Sequence, residues 1–132
     1  MADNEFSFCA SYEKDADYGE GLRDFFEYRD LGVTKATGGQ FRAHIMRVRK
    51  GADTSGLHTT GMHRHELDFQ WIYILKGWVR FTYKDHGEHT FGPGDCCLMP
   101  PDIVHNELEC SDDVEILEIN SPAKFKTVPL EA

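Results

Sequence analysis

Short runs of alternating polar and apolar residues, separated by glycine- and proline-rich turns, make up most of this chain. Turns of this kind stand at Lys76-Gly77, Gly92-Pro93-Gly94 and Pro100-Pro101. Alternation with a period of two is typical of strands with one buried face, and frequent turns join such strands in antiparallel order. No segment shows a convincing helical period. The pattern therefore predicts an all-β jelly roll or barrel.

The predicted strands lie near residues 24–30, 40–50, 58–65, 69–75, 78–84, 88–91, 95–99, 103–110 and 113–119. With 132 residues, the chain is long enough for one hydrophobic core and too short for two. We expect one barrel domain over residues 23–121, with an N-terminal arm at 1–22 and a C-terminal tail at 122–132.

Charge and composition narrow the classes of partner. The formal net charge of −9 argues against nucleic acid, because phosphate contacts need a cationic surface. No apolar run is long enough to cross a bilayer, and the first residues are acidic where a signal peptide is basic. We therefore expect a cytoplasmic protein with no membrane partner. The four cysteines form no Cys-x-x-Cys pair, and we expect them to be buried, reduced thiols.

Three histidines predict a metal site. His63 and His65 are two residues apart in a predicted strand, so their side chains point to the same face. His105 follows the Pro100-Pro101 turn into another strand, which can bring it in from an adjacent wall of a barrel. Imidazoles that converge in this way bind divalent transition metals.

The remaining histidines and two nearby carboxylates are weaker candidates for metal ligands. His44 shares strand parity with inward-facing residues, and we expect a hydrogen-bonded core histidine. For His58, a surface position and a place at the barrel mouth both stay open. We expect the other four to be exposed residues or loop charges away from the metal: His86, His89, Glu66 and Asp68.

At these residues the chain resembles the cupin superfamily. The first cupin motif reads His-x-His, three or four residues, Glu, six residues, Gly. The second reads Gly, five residues, Pro-x-Gly, two residues, His, three residues, Asn. The matching positions are the three histidines His63, His65 and His105, the glycines Gly77 and Gly94, and Pro100.

The chain also departs from these motifs. Gln70 stands where the family usually has a glutamate ligand. Asp102 replaces a glycine and Glu109 replaces the asparagine of the second motif. The glycine upstream of His63 is one residue out of register, at Gly56. The resemblance implies a small β-barrel that holds a metal, but with an altered fourth ligand position.

Gln70 has two possible roles at this position. Its amide oxygen can be a weak fourth metal ligand, or it can hydrogen-bond a bound water or substrate and take part in catalysis. In both cases the site lacks the negative charge of the usual glutamate. Three neutral imidazoles leave the charge of a divalent ion uncompensated, so we expect the site to favour anionic, chelating ligands.

The resemblance implies a function with several alternatives. Small cupins with a three-histidine iron centre include enzymes that cleave β-dicarbonyl compounds, so the leading hypothesis is a non-haem Fe²⁺ dioxygenase acting on a small bidentate substrate. A second hypothesis is non-redox chemistry with Zn²⁺ or Ni²⁺, as a cyclase, isomerase or lyase. A third is a binding or sensing module without turnover. Mn²⁺ and Cu²⁺ also suit imidazole ligands, so the sequence does not select the metal.

The strand at 69–75 has two distinct faces. Ile72 and Ile74 share parity with Gln70 and are expected to line the barrel interior. The opposite face, which we call the outer stripe, consists of Phe69, Trp71, Tyr73 and Leu75. We expect the outer stripe to pack in a core, with a dimer surface as the alternative. Open sheet edges and an aromatic N-terminal segment further predict a homodimer.

Overall fold

A computed structural model describes residues 6–52 and 61–130, which form two antiparallel sheets. The strands, numbered along the chain, are β1 (Phe26–Asp30), β2 (Arg42–Val48), β3 (His63–Glu66), β4 (Phe69–Lys76), β5 (Val79–Tyr83), β6 (Gly87–Phe91), β7 (Cys96–Met99), β8 (His105–Cys110), β9 (Glu115–Ser121) and β10 (Lys126–Pro129). One short helix, α1 (Val33–Ala36), lies between β1 and β2.

The two sheets have five strands each and pack as a jelly-roll barrel. One sheet has the order β1-β2-β9-β4-β7, and the other has the order β10-β3-β8-β5-β6. Every predicted strand corresponds to an observed one, although the part of the 58–65 prediction before residue 61 lies outside the described residues. The predicted all-β class is confirmed. The β1-β2 and β5-β6 hairpins each stay within one sheet, whereas the other consecutive strands lie in opposite sheets. The inward faces of the two sheets share one interior.

Strand β4 shows how the alternation separates the interior from the surface. Gln70, Ile72 and Ile74 are buried, as their shared parity predicted. The outer stripe does not pack in a core, because its face of β4 points away from the barrel. Phe69 is 38% exposed and Leu75 is 45% exposed, so the expectation of core packing was wrong.

Two elements were not anticipated from the sequence. Helix α1 is a single turn that follows Gly32, which has a φ of 83°, and it is closed by a hydrogen bond from the Thr37 hydroxyl to the carbonyl of Val33. Four residues are too few for a helical period to be visible. The segment after Pro122, expected as a tail, contains strand β10, which pairs with β3. Among the described residues, no helix is long and apolar enough to span a membrane.

The end of the N-terminal arm is attached to the barrel. After a 3-10 turn at Glu13–Asp15, the backbone of Gly19 exchanges two 2.8 Å hydrogen bonds with that of Tyr28 in β1. Gly21 lies against the Tyr28 ring so closely that a Cβ atom there would overlap it. The arm therefore runs along β1 at the rim of the barrel.

The cysteines differ from the expected buried thiols. All four are free, and Cys110 is buried in the core. Cys9 and Cys96 are exposed, and Cys97 is half-buried. The expectation therefore holds for Cys110 and is wrong for the two exposed residues. Cys96 stands on β7, which is the edge strand of its sheet in the part of the chain that the structure describes.

Gly77 provides a test of the turn between β4 and β5. Its φ is 71°, and an added Cβ would lie 2.8 Å from the Cα of Val114. Gly87 has a similar φ of 76°, but nothing lies within 4 Å of its Cβ position. We expect Gly87→Ala to cost about 1–2 kcal/mol of unfolding free energy through backbone strain alone. Gly77→Ala should cost about 1–3 kcal/mol more because of the overlap. Urea denaturation of both variants measures the difference, and equal losses would contradict the close approach at Gly77.

Candidate metal centre

Strands β3 and β8 bring three imidazoles together inside the barrel. His63 and His65 lie on the inward face of β3, and His105 is the cross-strand partner of His63. One ring nitrogen from each of the three lies within 4.8 Å of the others. All three side chains are buried, with at most 5% exposure. The arrangement that the spacing predicted is therefore present.

Hydrogen bonds on the outer side of each ring orient the imidazoles. Nδ1 of His63 donates to the carbonyl of Gly61 at 2.8 Å, and Nδ1 of His105 donates to the carbonyl of Ile103 at 3.0 Å. Nδ1 of His65 lies 2.8 Å from the hydroxyl oxygen of Thr127 on β10. A carbonyl can only accept, so His63 and His105 carry the proton on Nδ1 and have a lone pair on Nε2. Outer hydrogen bonds of this kind are typical of metal-binding histidines.

Burial keeps the three imidazoles neutral. Desolvation lowers the pKa of His63 to about 4 and that of His65 to about 3, and it also lowers the pKa of His105. The neighbouring imidazoles and the positive charge of Arg23 act in the same direction on His63 and His65. A metal ligand must be deprotonated, so this site is ready for a cation at neutral pH. Three converging neutral donors suit a divalent metal.

The three histidines face a cavity of about 480 Å³. The cavity wall is largely apolar on the side formed by Ile72, Phe81 and Met99, all of which are buried. Polar and charged side chains line the remaining sides, among them Arg42, Gln70 and Glu107. The end of the N-terminal arm and the segment before β1 contribute part of the wall, including Leu22 and Arg23. A small organic molecule would therefore reach the histidines through a mainly apolar space.

Gln70 lines the same cavity and is hydrogen-bonded to a buried carboxylate. Its Nε2 donates to Oε2 of Glu118 on β9 at 2.8 Å. His44 donates from Nε2 to the other oxygen at 2.7 Å, which confirms the hydrogen-bonded core histidine expected at this position. Because the Gln70 amide nitrogen is engaged, its oxygen is the atom that remains for a metal or a ligand. That Gln70 is a ligand or takes part in catalysis stays a prediction.

Glu118 carries a negative charge that the sequence did not place near the site. Burial by itself raises its pKa, but hydrogen bonds from His44 and Gln70 and the charges of His44 and Arg42 hold the pKa to about 2. The carboxylate is therefore ionised at neutral pH. Position 70 lacks the negative charge of a glutamate, but Glu118 supplies such a charge one hydrogen bond from Gln70. Arg42, at 3.6 Å from Glu118, compensates it. The expectation of a site with no nearby negative charge needs this correction.

Glu107 is a further polar group in the cavity. It stands two residues after His105 on β8, so both side chains share the inward face. Its Oε2 atom is buried and has no hydrogen-bond partner among the described residues. Desolvation raises the pKa of Glu107 to about 8, although the charge of Arg23 acts against this. The parity with His105 was a visible signal that the sequence analysis did not use.

Arg23 reaches the three histidines from the segment just before β1. Its Nη2 atom lies 3.2 Å from Nε2 of His63, and it lines the cavity. An arginine can only donate, so this contact agrees with a lone pair on that nitrogen. No motif or periodicity marked Arg23, because the contact joins residues 40 positions apart across the barrel.

The other candidates lie away from the three histidines. His86 and His89 are exposed near the hairpin between β5 and β6, and Glu66 and Asp68 are exposed at the end of β3 and before β4. None of these four belongs to the metal-compatible cluster found among the described residues. His58 lies outside the described residues. The observed cluster is therefore the predicted set of three histidines.

The assignment of three histidine ligands predicts which variants lose bound metal. His63→Ala, His65→Ala and His105→Ala should each lower bound metal at least about tenfold, because two imidazoles displace the water of an ion poorly. His86→Ala and His89→Ala serve as matched controls, since both rings are exposed. Plasma mass spectrometry of dialysed protein measures the metal. Equal losses in the two sets, or full retention in the first set, would contradict the assignment.

The lowered histidine pKa values predict how acid affects the site. Protons compete with metal only as the pH falls through the pKa of the folded-state imidazoles, which is about 4 for His63 and about 3 for His65. We expect metal to be retained from neutral pH to about pH 5 and released nearer to about pH 4. Equilibrium dialysis across this range measures retention, and circular dichroism shows whether the fold persists. Half-release near about pH 6.5, where exposed histidines titrate, would contradict the prediction.

The contact between Gln70 and Glu118 predicts the effect of a second carboxylate. Gln70→Glu replaces the donor at 2.8 Å by an oxygen that repels Glu118. The metal-free variant should lose about 1–3 kcal/mol of unfolding free energy. A bound divalent ion should recover part of this loss, because it attracts the new carboxylate. Urea unfolding with and without Zn²⁺ measures both effects.

Gln70→Ala is the control for this prediction, since it removes the amide donor without adding charge. It should be less destabilised than Gln70→Glu in metal-free protein, and Zn²⁺ should stabilise it no more than wild type. Equal stability of the two variants without metal would show that charge repulsion with Glu118 is not the cause.

Solved structures with a similar fold include three proteins of different description. The polyketide cyclase RemF from Streptomyces resistomycificus has a TM-score of 0.72 at 18% identity, over 95% of this chain and 87% of that one. KdgF from Halomonas sp. has a TM-score of 0.66 at 16% identity, over 87% of this chain and 95% of that one. Oxalate decarboxylase from Bacillus subtilis has a TM-score of 0.64 at 19% identity, and the match covers 96% of this chain and 32% of that one. At these identities the similarity shows the fold alone.

The family is shown by the sequence model described as the Cupin domain, which matches residues 44–120. This range includes the three histidines and Gln70. No curated protein matches the chain. The matched range is more than half of the chain and coincides with the barrel from β2 to β9. The chain therefore belongs to the cupin family.

Proposed function

We propose that this cupin is a metal-dependent enzyme that acts on a small, enolisable oxygen compound bound inside the barrel. The observation that supports this most directly is the cluster of three neutral imidazoles that line a cavity of about 480 Å³. When bound, a divalent metal would supply Lewis acidity toward carbonyl or enol oxygens. His63, His65 and His105 would hold it.

The residues of the chain would orient the substrate and exclude water. Ile72, Phe81 and Met99 form an apolar wall that limits solvent beside the histidines. The Gln70 amide, held by Glu118, presents its oxygen to a hydroxyl or a bound water. Glu107 lines the cavity, and its buried Oε2 atom has no hydrogen-bond partner among the described residues, so the carboxyl group can hold or move a proton.

Glu107 favours proton-transfer chemistry, as in an isomerase, cyclase or lyase. These reactions need a group that gives or takes a proton beside an activated carbonyl, and a carboxyl group in the cavity meets that need. The fold shared with a protein described as a polyketide cyclase is compatible with this assignment. The ion would then be Zn²⁺, Ni²⁺ or another divalent metal that needs no change of redox state.

A non-haem Fe²⁺ dioxygenase is the second candidate. It is supported by a donor cluster of three imidazoles without a carboxylate and by the apolar wall. The same cavity would accept a β-dicarbonyl compound. A binding or sensing module, the third alternative, is less favoured because such a module has no need for an unpartnered carboxyl group beside its ligand.

One experiment separates these functions. Protein loaded with Zn²⁺ and, separately, under anaerobic conditions with Fe²⁺, is mixed with acetylacetone and, in parallel, with acetoacetate. Deuterium incorporation from heavy water is followed by NMR, and oxygen uptake after exposure to air is followed with an electrode. We expect deuterium exchange with Zn²⁺ that falls at least about tenfold in His65→Ala and in Glu107→Gln. Oxygen uptake confined to the Fe²⁺ protein would establish the dioxygenase instead, and neither activity with metal bound would favour the binding module.

We also propose that the protein is a homodimer through the face that carries the outer stripe. Leu98 on the edge strand β7 is 58% exposed and pairs across the sheet with Trp71. Together with Phe69 and Leu75, it extends the apolar surface to an unpaired sheet edge. Light scattering at micromolar concentration measures the mass. Leu98→Lys should lower it to that of a monomer, whereas a monomeric wild type would contradict the proposal.

A further inference from the structure

Arg23 brings a positive charge into the cavity without a negative partner. Among the described residues, no carboxylate lies within ion-pair distance of its guanidinium, and its side-chain contact is with the imidazole of His63. The other arginines nearby have partners. Arg42 contacts Glu118, and Arg64 contacts Glu66 and Asp102. A cation that lines a cavity without a carboxylate partner attracts anionic ligands.

The position of Arg23 is set by the backbone around it. Its amide nitrogen donates to the hydroxyl of Tyr28 at 3.0 Å, and its carbonyl accepts from the amide of Phe26 at 3.2 Å. The preceding arm is joined to Tyr28 through Gly19 and the close packing of Gly21. The Arg23 side chain therefore extends into the cavity from a turn whose backbone is hydrogen-bonded to the barrel.

The chemistry of the guanidinium selects the anion. A planar guanidinium donates two parallel hydrogen bonds to a carboxylate, which a neutral carbonyl or amide cannot accept with equal strength. The cavity has room for a short carbon chain, and the other arginine in its lining, Arg42, is paired with Glu118. The lining also carries the carboxylates Asp17, Glu20, Asp30 and Glu107, none of which lies within ion-pair distance of Arg23. Arg23 is therefore the cavity cation that has no carboxylate partner among the described residues.

We propose that Arg23 binds a carboxylate of the substrate, which makes small keto or hydroxy carboxylates the substrate class of this enzyme, rather than neutral diketones. The inference rests on the proposed function, because the keto or hydroxyl oxygen is assigned to the metal held by the histidines. Arg23 is then a specificity-determining residue supplied by a segment outside the range of the family match.

Two ligands of nearly equal shape test the assignment. Acetoacetate and acetoacetamide differ in a carboxylate oxygen that is replaced by a neutral amide nitrogen. Each is titrated by calorimetry into Zn²⁺-loaded wild type, Arg23→Gln, Arg23→Lys and Arg64→Gln, and the metal content of every sample is measured. Arg64 is the matched control, because it lies between His63 and His65 on the opposite face of β3 and is paired with Glu66 and Asp102.

We expect wild type to prefer acetoacetate, and Arg23→Gln to lose at least about tenfold in affinity for it. Affinity for acetoacetamide should change less than about twofold. Arg23→Lys should retain part of the preference, and Arg64→Gln should retain all of it. Equal losses for both ligands in Arg23→Gln, or no preference in wild type, would overturn the assignment.

Metal content separates this outcome from a failure of the proposed function. A wild type that takes up no Zn²⁺ would refute the metal-dependent enzyme, and the same titrations on metal-free protein would still test Arg23. Selective loss of acetoacetate binding in Arg23→Gln would then support the carboxylate site by itself. Unchanged acetoacetate binding in that variant would overturn it.

Discussion

The pairing of β3 with its two neighbours is the constraint on which the site depends. On one side His63 pairs with His105 of β8, and on the other side His65 pairs with Thr127 of β10. The first pairing brings the third imidazole to the other two, and the second places a hydroxyl 2.8 Å from Nδ1 of His65. A slip of one residue in either register would turn these side chains to the opposite face. The metal centre is thus a direct consequence of strand register.

Two charged groups near this centre differ in their partners. The Glu118 carboxylate is fully paired, whereas the Arg23 guanidinium is available to a ligand. Glu118 is ionised, and its charge is compensated by contacts with His44, Gln70 and Arg42. Arg23 has no such compensation among the described residues, and a buried or half-buried charge without a partner is costly unless a ligand supplies one. An anionic ligand would therefore stabilise the folded protein as well as bind it.

Segments outside the family match complete the cavity. The segment before β1 supplies Arg23 and part of the wall. The strand after β9 supplies the hydroxyl of Thr127, which orients the His65 ring. Phe125, which precedes β10, also lines the cavity and packs edge-on against His65. The part of the chain that carries the histidines defines the metal site, whereas the two ends shape the space for a substrate. Differences in specificity among related barrels are expected in such end segments.

The sequence by itself determined what local geometry controls. Alternation and turn residues were sufficient to predict the strands, and the two-residue spacing of His63 and His65 was sufficient to place them on one face. The partners that set the chemistry were decided by the tertiary structure alone. Glu118 lies 48 positions from Gln70, Thr127 lies 62 from His65, and Arg23 lies 40 from His63. Strand order and register between the two sheets bring these pairs together, and a period of two within one strand carries no information about which distant strand lies beside it.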